Sequence, residues 1–206
     1  MNTRILIVAA ACVAACIPAP ALRGQSTTPW SLISVRFDTR TSDFIYAAYG
    51  LGDTFALTGV LHNPRSDYSE LLVGAGRRFA IANWPRQFAA IAAARASDGW
   101  YAQLYVLPAA HRGSVWVRAT SETYIPLDRS GTPQFALSPI SSTISVGKYV
   151  EGGISVDWAV ARDAAPSTAI GPELRVAIPN AVLGMDAQQV LDARIPRLRI
   201  FFTGAF

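Results

Sequence analysis

Lysine is nearly missing from this chain of 206 residues. Eighteen residues are basic, and only Lys148 among them is not arginine. There are two cysteines, Cys12 and Cys16, both close to the N-terminus. Removal of the leading segment on export leaves no thiol, which excludes disulfides, thiolate metal sites and cysteine nucleophiles together. The two histidines, His62 and His111, stand far apart, and no acidic calcium loop is present, so no metal or other cofactor is expected. Charged residues make up 16% of the chain, against roughly 25% in soluble domains. Long apolar runs are also lacking: nothing after residue 22 approaches the roughly 20 residues that a membrane-spanning helix needs. The formal net charge is +4, but no basic run extends beyond Arg77-Arg78, so nucleic acid is not expected as a partner.

What is present is dispersed hydrophobicity. Hydrophobic residues account for 51% of the chain, with a mean hydropathy of +0.26. That composition excludes disorder. Apolar residues spread at alternate positions rather than gathered in runs point to membrane strands.

Residues 1–21 have the pattern of a secretory signal. Arg4 supplies the positive start, Ile5 to Cys16 the apolar stretch, and Ala19-Pro20-Ala21 the small residues of a cleavage site before Leu22. Val13-Ala14-Ala15-Cys16 also resembles a lipobox, which would lipidate Cys16. Residues 22–206 read as one domain.

The last twelve residues organise that domain. Leu198, Ile200, Phe202, Gly204 and Phe206 form one alternate set, and Arg197, Arg199, Phe201, Thr203 and Ala205 form the other. Successive strand side chains point to opposite faces, so one face is apolar and the other carries two arginines. This segment resembles the closing strand of bacterial outer-membrane β-barrels, in which alternating apolar positions and a C-terminal Phe act as the assembly signature. The resemblance assigns Leu198, Ile200, Phe202 and Phe206 to that signature. It implies contact with outer-membrane lipid and with the barrel-assembly machinery.

Ten segments read as strands, near 30–38, 42–50, 53–62, 69–80, 86–96, 100–108, 113–126, 142–162, 169–178 and 195–206. The expected fold is all-β: a closed antiparallel transmembrane β-barrel of about ten strands, within a range of eight to twelve. The alanine-rich segment 86–96 has no legible faces. With a periplasmic C-terminus, the outside connections are 39–41, 63–68, 97–99, 127–141 and 179–194. The inside ones are 51–52, 81–85, 109–112 and 163–168, all short, as in bacterial barrels. Within 179–194, Asp186 with Gln189 three residues on predicts a short helix that Pro196 stops.

Arginine on the lipid face at the bilayer midplane costs roughly 2–4 kcal/mol. Arg118, Arg175, Arg197 and Arg199 are therefore expected to face inward or to lie near the interfaces. Glu122, Asp157 and Glu173 share the polar faces of the same late strands, which predicts a lumenal arginine–carboxylate network. Trp30, Trp100, Tyr101, Trp116 and Trp158 are candidates for interfacial girdles.

No catalytic residue is assigned. His62, with Ser66 and Asp67 beside it, is the one candidate for lipid-modifying chemistry, and His111 falls in an inside turn. Gly74-Ala75-Gly76 lacks the remaining pattern of a phosphate loop and reads as strand glycine. The expected role is envelope structure, adhesion or passage of small solutes. The alternatives are a lipid-modifying enzyme on the same scaffold and a soluble secreted barrel holding an apolar ligand. A barrel of this size is too narrow for a wide pore. The pattern does not define an oligomeric state.

Overall fold

A computed structural model describes residues 28–206 apart from 67, 82, 83, 86, 129, 130 and 163. The expected signal at 1–21 and Asp67 lie outside the described residues. Thirteen strand segments follow one another: β1 Pro29–Asp38, β2 Asp43–Leu51, β3 Thr54–Asn63, β4 Tyr68–Phe79, β5 Gln87–Ala96, β6 Gly99–Leu107, β7 Ala109–Arg112, β8 Val115–Pro126, β9 Gln134–Val146, β10 Val150–Ala161, β11 Ser167–Ile178, β12 Ala181–Val190 and β13 Ile195–Ala205. Consecutive segments pair antiparallel except β6 with β7, and β1 pairs with β13 to close the barrel.

Both β6 and β7 pair with β8, so they are two halves of one barrel strand broken at Pro108. The barrel therefore has 12 strands. Proline has no N–H for a ladder, which explains the break. The Gln87 side chain repairs it. Its Oε1 accepts from the Ala109 N–H at 2.6 Å, and its Nε2 donates to the Ala109 carbonyl at 2.8 Å.

The expectation of about ten strands is corrected by β9 and β12. Segment 142–162 is a hairpin, with its turn at Gly147, Lys148 and Tyr149 and Gly147 at φ +73°. A three-residue turn preserves odd–even parity, so Val146 pairs with Val150 and the alternation runs on unbroken through the turn. The start of β9 lies in the stretch expected to be the 127–141 loop. Likewise 179–194 is strand β12 with a tight turn before it, and Asp186 is a strand residue rather than a helix cap.

The start of β1 and the end of β13 lie at one end of the barrel, here the proximal end. Ser31 and Phe206 exchange backbone hydrogen bonds of 2.8 and 2.9 Å, carrying the seam to the last residue. The corrected strand count moves 163–168 to the distal end and makes 109–112 a strand. The expected contrast between long outside and short inside connections holds with one exception at each end: four of the five proximal connections have two or three residues, and five of the six distal ones have four to seven. The two longest connections, 80–86 and 127–133, lie at opposite ends.

The outward face is an apolar belt. Ile33, Phe37, Ile45, Val73, Ile91, Val117, Ile154, Leu174, Met185, Leu198 and Ile200 are all exposed large hydrophobics spread around the circumference. Exposing such a belt to water is unfavourable, whereas lipid solvates it. The soluble-barrel alternative is set aside on this ground: the belt is that of a membrane-spanning barrel.

Candidate functional site

The lumen has two unlike walls. Strands β2 to β6 supply a mainly apolar, aromatic wall that also buries Glu70 and Gln103, and large side chains stand there against small ones. Tyr46 faces Gly59 across the β2–β3 pair, and a Cβ added at Gly59 would lie 2.0 Å from the Tyr46 ring. The alanines of β5 whose facing was illegible now have a role. Ala90, Ala92, Ala94 and Ala96 point inward, Ala94 beside Leu72 and Tyr101, and Ala90 beside Tyr105. Small inward residues leave room for neighbouring rings, a common way to fill a narrow barrel. Alanine carries no polar contrast, so its alternation could not be read.

Strands β8 to β13, with the distal end of β1, supply a charged wall. Its densest part is a belt of two arginines and three aspartates. Arg197 donates to Asp38 at 2.5 Å and to Asp157 at 2.6 Å. Arg199 donates to the same Asp157 Oδ2 at 2.5 Å and to Asp186 at 2.6 Å. Further donors complete the carboxylates: Ser138 and Gln188 to Asp157 at 2.8 and 3.3 Å, and Thr41 to Asp38 at 2.7 Å. Ser138 is delivered by an extra residue in β9, where the register with β10 shifts between Val156 and Trp158. Bulges re-aim side chains in this way.

Four other charged residues form two separate pairs. Arg118 holds Glu151 bidentately at 2.8 and 3.0 Å. Arg175 pairs with Glu173. Of the residues expected in a lumenal network, Asp157, Arg197 and Arg199 meet directly. Arg118, Glu173 and Arg175 belong to these two separate pairs. Glu122 makes no ion pair among the described residues and accepts only from the Tyr124 hydroxyl, at 3.1 Å. Asp38, Glu151 and Asp186 were not expected: Asp38 borders a turn, Asp186 lay in the hidden strand, and Glu151 lacked an assigned partner.

The belt closes the distal half of the lumen. Arg199 and Asp186 are each 1% exposed, Asp157 6%, Arg197 7% and Asp38 9%. On the facing wall Leu72, Tyr101 and Gln103 are equally inaccessible. A water-filled path would leave its walls accessible, and neither wall is. Beneath the belt, toward the proximal end, lies a cavity of about 390 Å³.

The girdle expectation divides. Trp100 and Trp158 sit on the outward face of β6 and β10. Trp30, Tyr101 and Trp116 point inward: Trp30 under Arg78 at 4.2 Å, Tyr101 fully buried, and Trp116 stacked on His111 at 4.6 Å. His111 is therefore a strand residue and not part of a turn. Leu198, Ile200 and Phe202 lie on the outward face of β13, and Phe206 is exposed at its end. His62 faces outward near the distal rim, where its Nδ1 lies 2.9 Å from the Ser69 hydroxyl and Asp43 is its cross-strand neighbour. Ser69, not Ser66, is thus the hydroxyl beside it. Among the described residues no group of three or more histidine, cysteine or acidic residues is placed to hold a metal ion.

No family model matches the sequence, and no curated protein matches it. Solved structures do share the fold. The KdgM porin superposes with a TM-score of 0.59 at 10% identity, covering 86% of this chain and 99% of the porin. The NanC porin gives a TM-score of 0.52 at 9% identity, covering 84% and 98%. The translocator domain of the autotransporter NalP from Neisseria meningitidis gives 0.50 at 10% identity, covering 98% and 95%. The chain thus shares the architecture of small outer-membrane β-barrels, and these similar structures are porins and a translocator rather than enzymes.

Proposed function

We propose that this barrel passes small solutes and is held closed by the Asp38–Arg197–Asp157–Arg199–Asp186 belt. The carrying observation is the pairing of a distal half sealed by the ion-paired belt with a cavity directly beneath it. A purely structural barrel has no need of that division. Opening exchanges inter-residue ion pairs for hydrated ones, and a shared carboxylate such as Asp157 is the natural point of release. Liposome swelling tests this reading. Wild-type protein should admit small sugars or amino acids slowly, and Asp157→Asn should admit them faster. Asparagine keeps the shape, and each arginine retains one aspartate. Vesicles impermeable with both proteins would leave the structural reading in its place.

The proposal extends to biogenesis. Residues 1–21 act as the export signal, and Leu198, Ile200, Phe202 and Phe206 as the assembly signature read by the barrel-assembly machinery. Deleting Phe206 should lower the folded, membrane-inserted fraction, and the mass of the mature chain should report cleavage before Leu22 rather than lipidation of Cys16.

One observation favours a second reading. The Ser69 and His62 pair, with Asp43 in register, sits on the lipid side of the distal rim. A serine activated by a neighbouring histidine is the arrangement of an acyl hydrolase. Incubation with phospholipid or lipopolysaccharide should give an acyl product that Ser69→Ala abolishes if this reading holds. Absence of product by mass spectrometry retires it.

A further inference from the structure

The cavity beneath the belt is walled on one side by Phe44, Tyr46, Phe55, Leu57, Phe88 and Tyr105, and on the other by Arg36, Arg118, Glu122 and Arg175. Three observations bear on what it takes. Arg118 and Arg175 are already paired with Glu151 and Glu173. Arg36 makes no hydrogen bond or ion pair among the described residues: the Phe44 ring lies 4.3 Å from its guanidinium carbon, its buried Nε has no hydrogen bond, and Glu122 acts on it only at longer range. Glu122 has one donor, the Tyr124 hydroxyl, and no cation within ion-pair distance. Of the charged groups on this cavity, Arg36 is thus the one whose polar atoms lack a protein partner.

We propose that the cavity binds a small monocarboxylic acid with an aromatic body, its carboxylate on Arg36 and its ring against the Tyr46, Phe55 and Phe88 wall. A guanidinium stacked on a ring keeps its N–H edge free for a carboxylate, and burial strengthens such a charge-assisted pair. The volume is within the range of small-molecule pockets, and the mostly apolar lining with few polar anchors matches their usual composition. Tyr46 and Tyr105 bond to each other at 2.8 Å, so the aromatic wall spends its hydroxyls internally and presents ring surface to the guest. Glu122, which lines the same cavity, supplies an acceptor for a hydroxyl on the same guest. An amine is disfavoured because Arg36 would then remain unpaired beside a second cation.

The site does not depend on solute passage. Binding is read at equilibrium on full-length barrel in detergent, by calorimetry, while passage is read by flux. The probes are 4-hydroxyphenylacetate, its methyl ester and phenethylamine. The acid should bind saturably, and the ester and the amine should not. Arg36→Leu should weaken the acid by at least about tenfold, as expected for loss of a charged hydrogen bond. Arg36→Lys should retain part of the affinity, and heat-modifiable migration on gels should confirm that both variants are folded. Acid and amine binding alike, affinity unchanged in folded Arg36→Leu, or no saturable binding at millimolar concentration would each overturn the assignment. Flux without acid binding would retain the passage reading and remove this site. Acid binding without flux would do the reverse.

Discussion

The two walls of the lumen hold the same barrel closed by different means. The β2–β6 wall packs rings over glycine and alanine, so its stability is distributed over many weak contacts. The β8–β13 wall concentrates charge in a belt where Asp157 serves two arginines at once. A buried ion pair yields little net stability while complete, because desolvation offsets attraction. It becomes costly when one member is removed, since the partner is left buried and unpaired. The apolar wall should therefore respond to substitution in proportion to volume lost, and the charged wall in proportion to partners orphaned.

The sharpest way to break this contrast is Arg199→Ala. It strands Asp186 and removes one of two arginines from Asp157, and it should destabilise the barrel by about 3–5 kcal/mol in urea unfolding from lipid vesicles. A loss near zero would mean that the belt is hydrated and not a sealed network. Leu72→Ala tests the other wall. Leu72 has no accessible surface, and the cavity left should cost about 2–4 kcal/mol by the same assay. The smallest effect is expected at Glu151→Gln. The Arg118–Glu151 pair keeps roughly a fifth of its side-chain surface accessible, so its loss should cost about 1 kcal/mol or less and diminish further in high salt. A salt-independent loss as large as that of Arg199→Ala would erase the distinction between belt and peripheral pair.

The closing strand was the most legible element. In β13 the apolar and charged sets alternate without interruption, and the structure places them outward and inward as that pattern requires. Strand β12 was illegible for the opposite reason. Its inward set includes Gly184, Asp186 and Gln188, its outward set ends in Ala187 and Gln189, and so few strong hydrophobics remain that a cap-and-turn reading competes. Strand β9 was hidden in two places: Pro139 and the bulge disturb its middle, while the parity-preserving turn at Gly147 merges its tail with β10. The charged wall shared these limits. Arg197, Arg199 and Asp157 stood out as polar residues on strongly apolar strands. Their partners Asp186 and Asp38 did not, because one lay in the hidden strand and the other doubled as a turn residue, accepting the Arg40 and Thr41 N–H groups at 2.8 and 3.0 Å. Arg36, the residue on which the proposed acid site rests, carries no sequence signal beyond its place on an alternating strand.

Asp157 is the shared member of the ion-paired belt proposed to close the lumen. Single-channel recording of wild-type and Asp157→Asn barrels in planar bilayers tests this most directly. The account predicts rare, narrow openings for the wild type and a marked rise in open probability for Asp157→Asn, with folded protein confirmed for both. A wild-type barrel that conducts steadily, or an Asp157→Asn barrel that opens no more often than the wild type, would contradict it.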